Sequence, residues 1–386
     1  MALFGFVGHA RALDAREAGA LAARQVLDKI GREPPLMGFV FASSYLPMYQ
    51  VISGVTALLG DIPLIGGSTA GEFGNLSIEE RSVTVALLAG EDIKAQAAWS
   101  GNYQADSYQA TTDLIRLLNF DSRPGTFFIV ADGLSGDADN LCRAIPDQHT
   151  LVGYLAGAHF RHSQTYQVGG RESGIGGLAA AFIGPEIICG TGTAHGWQPV
   201  GESFLVTEAE GFSILSLDSK TPVEAYSSLF GYPAHHWTMP PLNELVRLYP
   251  FGIQGEKEQP LLVRSPLRVE PYGNLRMQAP VAQQSVAHLM VGNRESCLSA
   301  ADKACRDALD ALRGARPILA IVLTDVSWRI LMKTQPGVEL EVIKRVLGPD
   351  VPLVGGYTYG QFVGKPGEPA QLLNQHIEIV LLGKGD

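Results

Sequence analysis

One short pattern, an apolar strand that runs into a glycine-rich turn, recurs along this chain and constrains its fold more than any other feature. The first copy reads DIPLIGGSTAGEFGN at 61–75, and the last reads PDVPLVGGYTYGQFVG at 349–364. A middle copy, HTLVGYLAGAHF at 149–160, has a turn one residue shorter by the same alignment. Internal repeats of this kind predict a structure assembled from related units.

Each copy of the turn has similar neighbours along the chain. An apolar strand rich in Val, Ile, Phe and Leu comes first, a helical segment follows, and another apolar strand comes after the turn. Strands with little polar alternation are typical of sheets covered on both faces. The tight connection at 90–92 predicts an antiparallel hairpin between 82–90 and 92–101. We therefore expect a mixed α/β (α+β) fold of two lobes, with mixed sheets layered with helices and built from repeated strand-helix-strand-glycine-turn-strand units.

The stretch from about 200 to 314 departs from the repeat. Pro222 suits the first turn of a short helix, and Gly231 suits its end. Residues 294–314 have the apolar spacing of an amphipathic helix. We expect a domain boundary within 200–210, with the second domain running to the end of the chain.

Charge and composition argue against several classes of function. The formal charge of −10, with no basic cluster, argues against a nucleic-acid partner. No apolar run approaches the roughly 20 residues of a membrane helix, and the first residues lack the pattern of a secretion signal, so we expect no membrane association. The four cysteines form no C-x-x-C and favour a reduced cytoplasm; Cys297 and Cys305 are expected to be buried on one helix face.

The first glycine turn lacks the residues that a nucleotide site or a hydrolase needs. A phosphate loop has Lys where this chain has Glu72, and a carboxylate there repels phosphate. A nucleophile elbow fails because Ser68 follows Gly67 directly, and no His and Asp pattern completes a triad. An enzyme that uses Ser68 or Glu72 is the disfavoured alternative, and we expect a non-enzymatic protein.

Two interpretations of the turns remain open. In the first, the glycines only let a strand turn sharply, and the hydroxyl side chains cap the element that follows. In the second, the first and last turns face each other across a pseudo-twofold axis and present polar side chains to one shared ligand pocket. Those side chains are Ser68, Thr69, Glu72, Tyr357, Thr358 and Gln361.

Three motifs together resemble the FIST domain pair (F-box and intracellular signal transduction). In that family the N-terminal half carries a G-C-S-T-A-G-E-like turn and a later G-W-x-P-x-G, and the C-terminal half carries V-P-L-x-G-F-Y-T-Y-G-E. Here the matching stretches read GGSTAGE at 66–72, GWQPVG at 196–201 and VPLVGGYTYGQ at 351–361. The likeness covers nearly the whole chain and implies a FIST N-like domain at 1–205 and a FIST C-like domain at 206–386.

The resemblance implies a sensory, ligand-binding role in bacterial signalling. The implied ligands are small molecules such as amino acids, and some stand-alone members look like haem proteins that sense nitric oxide. Because the chain shows no kinase, cyclase or methyl-accepting segment, its output is expected to pass through a separate partner, such as a histidine kinase or a cyclic-di-GMP enzyme. The chain departs from the family pattern at Gly67, often Cys, and at Gln361, often Glu, which implies a different ligand preference.

Three larger side chains are further candidates. Trp197 lies at a strand end, where it packs against the next lobe or forms the wall of a pocket. Arg264 and Arg329 lie in apolar surroundings, where each either snorkels to water or holds an anion. That anion is a ligand carboxylate, a haem propionate or a structural Asp. Trp197 and Arg264 join the ligand-binding candidates, Arg264 because an arginine near this place fits the family pattern.

Two pairs of histidines are the candidate haem ligands. His159 and His162 follow the middle turn, and His235 and His236 lie among aromatic residues. A haem b iron needs one proximal histidine beside an apolar slot, although for each of the four a non-ligand role is the simpler interpretation. The lack of C-x-x-C-H excludes covalent c-type haem, and no spacing supplies four zinc ligands.

Overall fold

The computed structural model of the protein describes residues 3–74, 77–90, 95–118, 124–159, 164–255 and 260–384. Within these ranges the chain forms four mixed or antiparallel sheets and the helices that cover them. This confirms the predicted mixed architecture of sheets layered with helices and built from repeated units. No helix in the described ranges is long and apolar enough to cross a membrane.

Three repeated units, called A, B and C, build the core of the protein. Each contains an edge strand, a helix, a central strand, a second helical stretch, a third strand that ends in the glycine turn, a short hairpin and a final strand. Unit A comprises β1 (Leu3–Arg11), α1 (Ala15–Ile30), β2 (Pro35–Ser43), α2 (Met48–Leu59), β3 (Leu64–Thr69), β4 (Glu72–Gly74), β5 (Ser77–Glu79) and β6 (Ser82–Gly90). Unit B comprises β7 (Ala95–Ser100), α3 (Ser107–Leu117), β8 (Thr126–Ala131), α4 (Ala138–Arg143), β9 (Thr150–Leu155), β10 (Gln167–Gly169), β11 (Glu172–Gly174) and β12 (Leu178–Ile183).

Unit C is interrupted after its edge strand, β13 (Ile188–Ala194), by an inserted subdomain. The inserted subdomain comprises β14 (Trp197–Glu210), β15 (Ser213–Leu217), α5 (Pro222–Phe230), α6 (Leu242–Leu245), β16 (Phe251–Ile253), β17 (Leu262–Arg264), β18 (Pro266–Val269), β19 (Leu275–Met277) and β20 (Val286–Gly292), with 3-10 helices at Ala234–Thr238 and Val246–Leu248. Unit C then resumes with α7 (Arg294–Ala311), β21 (Arg316–Asp325), α8 (Val326–Leu331), α9 (Val338–Leu347), β22 (Leu353–Thr358), β23 (Gln361–Gly364), β24 (Gln371–Leu373) and β25 (Ile377–Lys384).

Each unit places its short hairpin in the sheet of another unit. The sheet of unit A has the order β1-β6-β2-β3-β10-β11, so its last two strands come from unit B. The sheet of unit B ends with β23 and β24 from unit C, and the sheet of unit C ends with β4 and β5 from unit A. The exchange is cyclic and relates the three units by a pseudo-threefold axis. The hairpin predicted at 90–92 is wrong, because β6 and β7 lie in different sheets and each pairs with strands distant in sequence.

The inner faces of these three sheets pack against one another around the axis. Phe39, Phe128 and Ile321 occupy equivalent positions in the three central strands, and all three are buried in one hydrophobic cluster. The rings of Phe39 and Phe128 meet edge to face at 5.3 Å. Helices cover the outer faces of the sheets, which explains why the strands are apolar on both sides.

Several local predictions agree with the inserted subdomain and with the part of unit C that follows it. Helix α5 begins at Pro222 and is followed by Gly231 in the left-handed conformation, at φ 74°. Helix α7 forms where an amphipathic helix was expected, and both Cys297 and Cys305 are buried on it. The expected domain boundary at 205/206 falls inside the long strand β14, which pairs with β15 and β20 in the seven-stranded sheet of the subdomain.

Candidate functional site

One glycine occupies the same place at the start of each turn. Gly66, Gly153 and Gly355 have φ of 157°, 147° and 147°, which L side chains rarely adopt. A Cβ at any of the three would lie 1.9 Å from the carbonyl oxygen of the paired residue in the central strand. Only glycine fits such a close backbone approach, so these residues set where each third strand bends.

In unit B the connection from the third strand to the hairpin is longer than in the other two units, not shorter as predicted. Strand β9 ends at Leu155, and the hairpin begins at Gln167.

The three turns converge on the pseudo-threefold axis, where backbone hydrogen bonds join them into a closed ring, here called the turn ring. The Ala70 N–H donates to Tyr357 O at 2.8 Å, and the Tyr357 N–H donates to Gly71 O at 3.0 Å. The corresponding bonds join Tyr359 and Gly360 to Leu155, and Gly157 and Tyr166 to Ser68. The first and last turns therefore meet, but the axis is threefold and not the predicted twofold.

Three polar side chains occupy equivalent positions beside the turn ring. Glu72, Gln167 and Gln361 each begin an exchanged hairpin, and all three are fully buried. Glu72 accepts hydrogen bonds from Thr69 Oγ1 at 2.8 Å and from Ser82 Oγ at 2.7 Å. Burial raises the pKa of Glu72 to about 7, although these hydrogen bonds oppose the shift. The Glu72 side chain thus ties the hairpin that unit A places in the sheet of unit C back to unit A.

The other two positions repeat this arrangement with neutral amides. Gln361 lies 2.9 Å from Thr358 Oγ1 in either orientation of its amide. In the orientation that satisfies both of its ends, its oxygen also accepts from the Asp325 N–H at 3.3 Å. Gln167 accepts from the Gly177 N–H at 3.0 Å. Among the predicted ligand contacts, Thr69, Glu72, Thr358 and Gln361 are therefore all hydrogen-bonded within the protein.

Ser68 and Tyr357 are also buried on the turn ring. Ser68 Oγ donates to Gly157 O at 2.8 Å and accepts from the Tyr166 N–H at 2.9 Å. Tyr357 Oη donates to Glu339 Oε1 at 2.8 Å. Burial raises the pKa of Tyr357, with the Glu339 charge acting in the same direction. Both side chains have partners in the protein in this conformation, as do the other four polar side chains of the turns.

Trp197 and Arg264 lie where the inserted subdomain packs on the core. Trp197 is buried, and its Nε1 donates to Leu248 O at 3.2 Å. Arg264 is also buried: its Nη2 lies 3.2 Å from Asp139 Oδ1, and its Nη1 donates to Leu372 O at 3.0 Å. Burial lowers the pKa of Arg264, and the Asp139 charge opposes that shift. Of the anions considered for Arg264, the structural Asp is the one in contact.

His159, the described histidine candidate near the middle turn, has a partner at each ring nitrogen. His159 Nδ1 lies 2.7 Å from Tyr45 Oη, and its Nε2 lies 3.6 Å from Glu80 Oε1. Glu80 also binds Arg329, the other candidate arginine, whose guanidinium reaches a carbonyl of the first turn. His162 lies outside the described residues.

His235 and His236 lie on the surface of the inserted subdomain. Both are exposed on a 3-10 helix, with ring centroids 4.3 Å apart. A haem needs a proximal histidine inside an apolar slot, and an exposed 3-10 turn does not provide one. The described histidine candidates therefore do not fit a haem. Among the described residues, no group of three His, Cys, Asp or Glu side chains is arranged to hold a metal ion.

A small cavity, here called the junction cavity, lies between the turn ring and the inserted subdomain. The core contributes Tyr103, Asp132 and Leu155, and Leu155 is the residue by which the middle turn joins the ring. The subdomain contributes Arg276 and Gln278. The cavity volume of about 10 Å³ is close to that of one water molecule. The two bodies are therefore nearly closed on each other.

Charged and polar groups from both bodies line the junction cavity. Asp132 follows the carboxyl end of β8, is 5% exposed and accepts from Ser135 Oγ at 2.5 Å. The Arg276 guanidinium lies 4.5 Å over the ring of Phe212, and partial burial lowers its pKa. The Tyr103 hydroxyl is fully buried near Ser107 but makes no hydrogen bond of acceptable geometry. The cavity thus presents a carboxylate, a guanidinium and an unpaired hydroxyl.

Sequence reasoning missed the residues of the junction cavity. Asp132 stands directly after the apolar strand TFFIVA, and polar residues at the carboxyl ends of strands commonly face a ligand in α/β sheets. That position was the available signal on the core side. Arg276 had no local signal, because its approach to the core depends on how the inserted subdomain packs.

Comparisons with known proteins were made on both sequence and structure. The family model for the FIST N domain matches residues 37–220, and that for the FIST C domain matches residues 222–363, together most of the chain. No curated protein matches the sequence. A cyanuric acid hydrolase, described as an evolutionary innovation by structural concatenation, is 7% identical over 100% of both chains with a TM-score of 0.38. PurL of T. maritima complexed with ADP is 9% identical over 99% of this chain and 72% of that chain, with a TM-score of 0.25. At these TM-scores neither likeness supports an argument.

Proposed function

Because this chain belongs to the FIST family, whose domains are associated with sensory and signal-transduction proteins, we propose that it is a non-enzymatic sensor module. It binds a small molecule at the junction cavity and signals to a separate protein, such as a histidine kinase or a cyclic-di-GMP enzyme. The observation that carries the proposal is the placement of Asp132 and Arg276 on opposite bodies around one polar space. Haem forms no part of it, because the described histidine candidates His159, His235 and His236 do not fit that group.

The proposed mechanism is closure of the inserted subdomain on the core. A ligand with a cationic group for Asp132 and an anionic or carbonyl group for Arg276 touches both bodies and therefore favours their closed arrangement. In the described conformation Gln278 Nε2 already donates to Gly133 O at 2.7 Å across the junction. Since the cavity accommodates about one water, ligand entry requires the subdomain to move away from the core.

The predicted turn contacts take a supporting part in this proposal. Leu155 joins the turn ring to the junction cavity, and Gln167 Nε2 lies 3.4 Å from Asp132 Oδ1. Movement of the cavity wall would therefore change the geometry of the hydrogen bonds around the turn ring. The proposal also includes contact between the ligand and the side chains of the turn ring in an open form of the protein. These side chains are Ser68, Thr69, Glu72, Tyr357, Thr358 and Gln361. The binding experiment below tests this contact with variants of the ring.

The test compares ligand retention and affinity among four proteins. Native mass spectrometry of protein purified from cells reports a retained small molecule, and calorimetry with a panel of free amino acids measures affinity. Asp132→Asn and Arg276→Met are expected to weaken binding about tenfold or more, because each removes a charge that the ligand meets in a partly buried site. The control is Arg268→Met, since Arg268 is the cross-strand neighbour of Arg276 but its side chain is 56% exposed.

The outcomes separate the site from the function. Equal affinity in all four proteins would remove the junction cavity as the site. Tyr357→Ala and Glu72→Ala then test the turn ring directly, and unchanged affinity in both would remove the ring as well. A wild-type protein that retains no small molecule and gives no heat with any probe would contradict the sensor proposal itself.

A further inference from the structure

The cyclic exchange of hairpins creates three equivalent seams in the core. In each seam the edge strand of a unit lies beside the hairpin of the same unit, which is paired into another sheet. Counting strand register outward from the three turn glycines places His9, Trp99 and Thr193 at the same position of β1, β7 and β13. Their cross-strand partners in the same order are Thr84, Ala179 and Glu378.

Two of the seams are filled by an aromatic ring of the chain itself. The His9 ring packs so closely on Gly74 that a Cβ there would lie 2.6 Å from it, and its Nδ1 lies 2.7 Å from Thr84 Oγ1. In the second seam the Trp99 indole packs on Gly174, where a Cβ would lie 2.3 Å from the ring. In both seams the hairpin offers a glycine, and a planar side chain occupies the space above it.

The third seam has no ring, because Thr193 stands where the other two units have His9 and Trp99. A cavity of about 280 Å³, here called the seam cavity, lies between β13 and the hairpin of β23 and β24. Thr193 is one of its wall residues. Thr191, Val363 and Leu373 also form its walls, and Asp307, Lys365 and Glu368 lie at its rim. The volume is near the lower end of small-ligand sites and suits one or two fused rings.

A buried carboxyl group without a partner lies behind the wall of the seam cavity. Glu378 is cross-strand to Thr193, so the two side chains share a face of the sheet. Glu378 is fully buried, and neither of its carboxyl oxygens has a hydrogen-bond partner of acceptable geometry. Burial raises the pKa of Glu378 well above its ordinary value, and the nearby Gly153 amide opposes that shift without cancelling it. A buried polar group in this state is destabilising until a donor reaches it.

The equivalent residue in the first seam shows what such a position does. Thr84 bonds to the ring nitrogen of His9, the ring that fills that seam. Glu378 is the equivalent of Thr84, but Thr193, the side chain beside Glu378, supplies neither a ring nor a nitrogen. The missing group is therefore a planar ring with a nitrogen that can donate a hydrogen bond.

We infer that the seam cavity is a ligand site of its own, which takes a small planar nitrogen base and directs a ring N–H to Glu378. The guest occupies the volume that His9 and Trp99 fill in the sister seams, over Thr193. The rim carries Asp307, Glu368 and Lys365, and Asp307 is already paired with Lys303 on α7, so the preference for a nitrogen base comes from Glu378 and not from the rim. This site is separate from the junction cavity and does not rest on the proposed function.

Imidazole is the probe, since it is the ring of His9 without its backbone. Calorimetric titration of the full chain is expected to show one imidazole site. Thr193→His should abolish that binding, because the chain then fills the seam with its own ring. Thr112→His, which adds the same ring to the outer side of α3, is the matched control and should bind as the wild type does. Glu378→Gln should weaken binding about tenfold or more, because an amide cannot form an ion pair with the ring.

Soaking crystals of the wild-type protein with 4-bromoimidazole locates the site without any variant. The anomalous signal of bromine is expected between β13 and the β23–β24 hairpin. His9→Ala offers a second measurement, because opening the first seam should add one more imidazole site. Unchanged imidazole affinity in Thr193→His, bromine bound elsewhere, or a wild-type protein that does not bind imidazole would each overturn the inference.

Discussion

Replacing Glu72 by Gln is expected to stabilise the protein at neutral and alkaline pH. The amide fits because the two equivalent positions beside the turn ring already carry Gln167 and Gln361. Burial raises the pKa of Glu72 from 4.5 to about 7. At about 1.4 kcal/mol per pKa unit, the shift corresponds to ~3 kcal/mol of unfolding free energy that the wild type lacks once Glu72 is ionised.

The sign of the effect follows from the direction of the shift. Between pH 4.5 and about 7 the folded state holds a proton on Glu72 that the unfolded state has released. The unfolding free energy of the wild type therefore falls as pH rises through this window. Above the window, Glu72 adds no further pH dependence, because it is ionised in both states. The Glu72→Gln variant lacks this titration, so the difference in unfolding free energy between variant and wild type should grow with pH.

Urea unfolding at a series of pH values from about 5 to about 8 measures this difference. Other buried carboxyl groups, such as Glu339 and Glu378, titrate in both proteins and cancel. Glu208→Gln, on an exposed position of β14, is the control and should show no comparable trend. A difference between Glu72→Gln and wild type that stays constant with pH, or that shrinks as pH rises, would refute the reasoning about burial of this carboxyl.

The remaining predictions concern stability and the attachment of the inserted subdomain. Gly66→Ala should cost more than about 3 kcal/mol of unfolding free energy because a Cβ there meets a backbone carbonyl, whereas Gly231→Ala should cost only about 1 kcal/mol, because Gly231 is in the left-handed helical region (φ 74°, ψ 1°) with open space around it. Urea unfolding of both variants measures the two costs. Arg264→Ala should leave a buried carbonyl and a carboxylate without their donor and lower the unfolding free energy by about 3 kcal/mol or more. The expected result is faster limited proteolysis between the core and the inserted subdomain. Tyr357→Phe should cost about 1–3 kcal/mol, because Glu339 loses the hydroxyl that bonds to it in a buried site; equal melting temperatures of variant and wild type would contradict this.

Local features of the chain were predictable because short-range physics fixes them. The apolar strands, the helix that begins at Pro222 and ends before Gly231, and the amphipathic α7 all follow from side-chain periodicity and from the restricted backbone of Pro and the permissive backbone of Gly. The glycine turns were found for the same reason, since a residue such as Gly66 has no substitute where backbones approach this closely.

The candidate site was less accessible to sequence reasoning. The polar residues of the turns were correctly expected to lie near one another, but Glu72 and Gln361 were assigned to a twofold pocket. They instead occupy two of three equivalent positions, the third being Gln167. A longer connection separates Gln167 from the middle turn, so no alignment of the turns alone includes it. Asp132 and Arg276, which line the junction cavity, come from bodies that meet only after folding.

The sequence by itself determined the units: which segments are strands, where they bend, and that the pattern occurs three times. Only the tertiary structure decided how the units combine. Whether β6 pairs with β7 or with β1 and β2 depends on packing between segments far apart in the chain, and a strand carries the same periodicity in either sheet. Cyclic exchange of the hairpins is a property of that long-range pairing, and it places the β23–β24 hairpin beside β13, where Thr193 stands instead of the ring that fills the other two seams.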